Sequence, residues 1–138
     1  MNAIIKAIYN ILVADETLAT LLSNYNDLPA IFSDDIVPSD ATPPWAHISI
    51  TGDDPDDTIT TFGRDVQAQV AVWLSASDGS KKAYAIAERA RVLLHDQELS
   101  VDGFEYIFSI ASGPIPNDSP DDEMIGRVVF LRVVVEEE

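Results

Sequence analysis

The chain has 138 residues, with 24 acidic residues against eight lysines and arginines, and a formal net charge of −16 at pH 7. It contains no cysteine, which excludes disulfide bonds and thiolate metal sites. The acid excess repels phosphate backbones, so tight nucleic-acid binding is not expected. No apolar run reaches the roughly 18 residues that a membrane span needs, so no membrane partner is expected. The length predicts a single domain, residues 1–138.

The first third of the chain predicts two helices and the start of a sheet. Five large apolar residues recur at helical spacing and predict an amphipathic helix over residues 3–14: Ile4, Ile5, Ile8, Ile11 and Leu12. Asp15 is expected to cap a second, short helix that carries a leucine stripe. A short extended piece at 30–32 and a strand at 45–51 follow, and a pair of prolines before the strand disfavours helix there.

The segment 52–64 interrupts the apolar pattern. Its aspartates, which surround a proline, predict an exposed, mobile acidic loop: Asp53, Asp54, Asp56 and Asp57. The spacing lacks the alternating ligands, the glycine and the final glutamate of a calcium-binding loop, so no metal site is predicted. Ile59 and Phe62 are two apolar anchors in this polar segment. We expect the segment to contact a neighbouring subunit or another component of its assembly through them rather than to join the core.

A strand followed by a helix occupies the middle of the chain. Residues 66–74 alternate between apolar and more polar side chains, which predicts a strand with one core-facing side. A polar stop then precedes a helix over 81–95, with Ser77, Asp78 or Ser80 as its expected cap. The apolar stripe of this helix is rich in alanine, which lets a helix lie close to a sheet.

The last third predicts two further strands. An Asp-Gly pair at 102–103 suits a tight turn from a short strand at 99–101 into a strand at 104–111. A Gly-Pro stop and a second acidic loop, 117–123, lead to a β-branched strand over 124–135. The elements together predict an α+β fold, with a mainly antiparallel sheet packed against two helices as a single pair of layers.

The sequence holds no pattern typical of catalysis. His47 and His95 are far apart, and no Gly-x-Ser-x-Gly turn or phosphate-binding loop is present. We therefore expect neither enzymatic activity nor a cofactor. Trp45 and Trp73 leave two interpretations open, because large aromatic side chains fill cores and also anchor subunit contacts.

The succession of elements resembles the tail-completion, or tail-terminator, proteins of long-tailed phages. The resemblance spans nearly the whole chain and rests on the order of several short sequence segments rather than on any one of them. These segments are the helical start and residues 15–22, 31–32, 43–50, 70–80 and 127–133. It implies a structural protein of the virion, assembled in the host cytoplasm. It also implies a ring, commonly six-fold, at the head-proximal end of the tail tube.

In that role the ring ends tube polymerisation and joins the tail to the head-side connector, so the implied partners are further copies, the tail tube protein and the connector protein. DNA would pass through the lumen without tight binding, which fits the acid excess. Two alternatives remain at this stage. One is another head–tail connector or stopper component, and the other is an acidic adaptor or inhibitor that mimics DNA. A DNA mimic is expected to carry its carboxylates in regular rows, so the clustering of acidic residues in loops argues against that alternative.

Overall fold

A computed structural model describes residues 2–33, 37–117 and 123–138. The helices in these ranges are α1 (Asn2–Ala14), α2 (Glu16–Leu21) and α3 (Ser80–Leu94), with a 3-10 turn at Ala76–Asp78. The strands are β1 (Asn24–Tyr25), β2 (Leu28–Pro29), β3 (Ile31–Phe32), β4 (Trp45–Pro55), β5 (Gly63–Ser75), β6 (Phe104–Pro116) and β7 (Met124–Glu137). None of the helices in the described ranges is long and apolar enough to span a membrane.

The main sheet has five strands in the order β3-β4-β5-β7-β6. All its pairings are antiparallel except that of the two-residue β3 with β4. β1 and β2 form a separate small hairpin. The predicted α+β class with a mainly antiparallel sheet is confirmed.

The alternation along β5 places one side of the sheet in the core. Val66, Val70 and Leu74 are fully buried, whereas Gln67 and Trp73 are only half-buried on the other side. The same period operates in β7, where Val129, Leu131, Val133 and Val135 are buried in the same core cluster. The period of two therefore assigns each strand a core face and an outer face.

The helices cover the core face of the sheet. α1 buries Ile4, Ile8 and Leu12, and α3 buries Ile86 among three alanines, all within one core cluster with β4, β5 and β7. Alanine adds little bulk, so the α3 backbone approaches the sheet closely. In the described part of the chain no helix packs on the opposite side, which we call the helix-free face.

The acidic segment departs from prediction, because β4 continues to Pro55 and β5 begins at Gly63. The loop is therefore limited to residues 56–62. Asp53 and Asp54, predicted in a loop, lie in β4 opposite Val66 and Asp65. Two causes extend β4 through these aspartates. β5 is held on its other side by pairing with β7, so it offers β4 a fixed partner strand along this stretch, and Arg64 neutralises the charge of Asp53.

Boundaries elsewhere also differ from prediction. Residues 99–101 are not a strand, although Leu99 and Val101 are buried. β6 continues through the expected Gly-Pro stop because its register shifts between Ser112 and Ile115, which lets pairing with β7 resume. Most of the second acidic loop, 118–122, lies outside the described residues.

The caps of the two later helices contrast. α3 begins after Gly79 with no side-chain cap, so the predicted serine or aspartate cap is wrong. The predicted cap of α2 is confirmed, since the Leu18 N–H donates to the Asp15 carboxylate at 2.8 Å. Asp15 also accepts two hydrogen bonds from Arg89, at 2.7 and 2.9 Å, and so joins α2 to α3.

The Asp15 contacts make part of the stability depend on pH. Chiefly through its hydrogen bonds, Arg89 lowers the pKa of Asp15 below its ordinary value. The resulting stabilisation is fully present above the unfolded-state pKa of about 3.9 and is lost as pH falls through the lower folded-state pKa.

We expect Asp15→Ala to lower the free energy of unfolding by about 1–2 kcal/mol at pH 7, because the helix cap and the ion pair are both lost. Asp15→Asn keeps a capping oxygen and isolates the charge effect. Urea unfolding should show the gap between wild type and Asp15→Asn narrowing below about pH 4. A gap that stays constant down to pH 3 would show that the carboxylate charge is not what stabilises this contact.

Candidate subunit-contact surfaces

The hairpin loop, residues 56–62, closes β4 onto β5 at one end of the sheet. The Asp56 N–H donates to the Gly63 carbonyl at 2.9 Å, and the Thr58 N–H donates to the Thr61 carbonyl at the same distance. The Asp57 carboxylate accepts from the Gly63 N–H at 3.2 Å. These hydrogen bonds define a short turn that projects beyond the last strand pair.

The hairpin loop carries apolar side chains that the described residues leave largely exposed. Ile59 is fully exposed and the Phe62 side chain is 66% exposed. Asp56 and Asp57 beside them are exposed as well. Exposed apolar side chains beside aspartates contribute little to the stability of the single subunit. The prediction that Ile59 and Phe62 make an intermolecular contact is therefore physically reasonable.

The predicted acidic cluster is divided between two environments. Asp53 pairs with Arg64 at 2.8 Å, and the hydrogen bond from Arg64 lowers the pKa of its carboxyl group. Asp54 projects from the strand, and Asp56 and Asp57 belong to the hairpin loop. Within the three described ranges, no group of three or more histidine, aspartate or glutamate side chains is arranged to hold a metal ion.

The two tryptophans meet on the helix-free face. Trp45 and Trp73 are direct partners across β4 and β5, and both are half-buried. Gly126 of β7 lies opposite Trp73, where a side-chain carbon would overlap the Asn117 carbonyl oxygen and come within 2.8 Å of the indole ring. Glycine therefore leaves room both for the Asn117 backbone and for the Trp73 ring. The pairing brings together two residues that are 28 positions apart in sequence, at the end of the sheet opposite the hairpin loop.

The centre of the helix-free face carries no aspartate, glutamate, lysine or arginine, in contrast to the rest of this acidic chain. His47, Ser49, Gln69 and Phe130 occupy it over the buried Ala71 and Val128, and Phe130 is 40% exposed. The centres of protein interfaces are depleted in charge and enriched in aromatic residues. This face therefore has the composition of a protein contact surface.

Beside this centre lies an apolar groove of about 300 Å³, whose walls include Ile110, Phe130 and Gln67. Ile110 is 47% exposed. Arg132 stands at the rim, where its guanidinium pairs with Asp65 at 2.8 Å and lies 5.4 Å from the centre of the Phe108 ring. Neither Ile110 nor Phe130 was predicted as a site residue from the sequence. Ile110 has a sequence signal, its outward position in an alternating strand, whereas Phe130 lies in a continuous apolar run.

The two histidines do not form a site. The His95 Nδ1 accepts a hydrogen bond from the Ala111 N–H at 3.1 Å, and the Asp96 N–H donates to the Ser109 carbonyl at 3.0 Å. These contacts occupy outward-facing backbone groups of the edge strand β6. The segment after α3 thus protects that edge from pairing with another strand.

Comparison with known proteins identifies the family. The family described as "Tail completion protein gp17" matches residues 6–135. A chain from the virion of a native gene transfer agent particle superposes with a TM-score of 0.78 at 21% identity, over 98% of this chain and 96% of that chain. A second solved chain, 14% identical, superposes with a TM-score of 0.56 over 99% of this chain and 94% of its own. At these identities the two structures establish the fold alone.

No curated protein matches the sequence. The family match nevertheless covers β3, β4, β5 and β6 in full, β7 as far as Val135, and most of α1. The chain therefore belongs to the tail completion protein family and is a structural protein of the virion tail.

Proposed function

We propose that the protein, as a single tail-terminator-like domain over residues 1–138, forms a ring at the head-proximal end of the phage tail tube. The ring ends tube polymerisation and joins the tail to the head-side connector. The observation that carries this proposal is the tail completion family match, which extends over residues 6–135. A six-fold ring is the expected form, because the tail-completion resemblance implies that symmetry.

The surface chemistry supports a ring made of identical copies. Like-charged subunits of −16 repel one another, so their contacts must lie where acids are scarce or neutralised. The helix-free face offers such a surface, with Trp45 and Trp73 at one end and Phe130 near its centre. The hairpin loop adds the exposed Ile59 and Phe62. We propose that these two surfaces supply the contacts between copies.

The acid excess also suits a conduit for DNA. A duplex passing through the ring would meet a net negative wall, which favours free passage over retention. The proposed role is therefore structural rather than enzymatic, and the partners are other copies, the tail tube protein and the connector protein.

Tube capping tests this function directly. We expect purified protein, added to polymerising tail tube protein, to shorten the tubes and decorate one end, as seen by electron microscopy. Ile59→Ser with Phe62→Ser should abolish this effect because it removes the apolar tip. Leu28→Ser is the matched control, since Leu28 is also an exposed apolar residue but lies outside both surfaces. Tubes of unchanged length and bare ends with the wild-type protein would contradict the proposal.

A further inference from the structure

The apolar groove on the helix-free face has an occupant with matching chemistry in the same amino-acid chain. Ile110 and Phe130 form its apolar walls and remain about half exposed in the single subunit. The hairpin loop presents the two apolar side chains with the largest exposed fractions in the described ranges, Ile59 and Phe62. Both surfaces would lose exposed apolar area by meeting, which favours association.

Charge points to the same pairing. Asp56 and Asp57 flank the apolar tip of the hairpin loop, and most of the surface of a −16 chain would repel them. The groove differs, because uncharged Thr51, Gln67 and Ser112 line it and Arg132 stands at its rim. Asp65 already balances Arg132, so the rim is neutral rather than acidic. The acidic hairpin loop therefore meets little repulsion at this groove.

The hairpin loop does not reach the apolar groove of its own subunit. Ile59 is fully exposed, so it does not occupy the groove of its own chain. The hydrogen bonds of Thr58 and of Asp57 hold the turn beyond the end of the sheet. A contact between two different surfaces of identical subunits is heterologous, and it closes into a ring when the rotation per copy permits.

We propose that the hairpin loop of each copy docks in the apolar groove of the next copy, with Ile59 seated between Ile110 and Phe130. The inference rests on the proposed ring and names its contact. It makes the ring a head-to-tail assembly in which every copy donates one hairpin loop and accepts one.

The absence of cysteine from the chain allows a crosslinking test without background. The full-length variant Ile59→Cys with Ile110→Cys should form, under mild oxidation, a disulfide-linked ladder that ends at one closed oligomer. The control pair Ile59→Cys with Val92→Cys should form no ladder, because Val92 is similarly exposed but lies on α3, on the other layer. Each single-cysteine variant should stop at dimers.

A double-mutant cycle provides a second readout that does not depend on oxidation. Ile59→Ser and Phe130→Ser should each weaken self-association by about tenfold or more, and the combined variant should be little weaker than either single variant. Circular dichroism checks that each variant is folded. Additive losses, or equal ladders from the two cysteine pairs, would overturn the docking while leaving the ring intact.

Two other outcomes are equally decisive. If Ile110→Cys, labelled with a thiol-reactive photocrosslinker, captures the tail tube protein rather than a second copy, the groove belongs to a different contact and the inference is wrong. If the wild-type protein stays monomeric under all conditions, both the proposed ring and the proposed docking are wrong.

Discussion

Replacing Ile86 with aspartate is expected to unfold the protein. Ile86 is fully buried on the sheet-facing side of α3, in the cluster that contains Ala83, Ala87 and Ala90. An unpaired carboxylate cannot be solvated there, and the apolar contacts of isoleucine are lost as well. Together these effects exceed about 4 kcal/mol, a large share of the roughly 5–15 kcal/mol that stabilises a typical domain. Thermal unfolding followed by circular dichroism would show no cooperative transition.

Asp54→Asn is the matched control for that experiment, because it changes an exposed carboxylate. Asp54 lies directly opposite Asp65 across β4 and β5, so removing one of two facing like charges is expected to be neutral or slightly stabilising. The change in the free energy of unfolding should stay within about 0.5 kcal/mol. Comparable destabilisation by the two substitutions would contradict the assignment of α3 to the core.

Shortening the hairpin loop is expected to abolish assembly while the subunit remains folded. Asp56 and Gly63 are already joined by a backbone hydrogen bond, so replacing residues 57–62 with Asn-Gly connects them by a two-residue turn that suits antiparallel strands. The change removes Ile59 and Phe62 together with Asp57. It also removes the backbone hydrogen bond between the Glu137 N–H and the Phe62 carbonyl, a loss of about 1 kcal/mol.

A second turn of the same chain supplies the control. Asn26 and Asp27 both have positive φ angles in the β1–β2 hairpin, so Asp27→Gly fits that backbone and leaves both proposed contact surfaces intact. Size-exclusion chromatography and circular dichroism should show a folded monomer for the shortened hairpin loop and normal assembly for Asp27→Gly. Normal assembly by the shortened variant would mean that the loop is only a solvated connection.

The helices and core strands were predictable because their signal is local. The stripe of α1 and the alternation of residues 66–74 depend on spacing alone, and burial in the structure follows it. The limits of β4 were not predictable in this way. Asp53 and Asp54 discourage strand formation locally, but their partner strand β5 is held on its other side by β7. Pairing in a sheet therefore outweighed the local preference.

The contact surfaces were only partly predictable for a related reason. Ile59 and Phe62 stand out in sequence because they are apolar within a polar segment. Phe130 does not, because it sits in a run of β-branched and apolar residues that predicts burial on both sides. Its exposure depends on where the helices pack, since both α1 and α3 cover the same face. Likewise, the cross-strand pairing of Trp45 with Trp73 depends on strand register, which the sequence pattern leaves open.

Electron microscopy of the purified full-length protein at low and at high salt tests the central claim, that identical copies close into a ring. Closed rings with a central hole, commonly with six copies, are expected. Rings should be more abundant at high salt, because dissolved ions screen the repulsion between subunits that each carry a charge of −16. The Debye length is about 10 Å at 0.1 M and is shorter at higher salt. Single subunits or open filaments at every salt concentration would contradict the central claim.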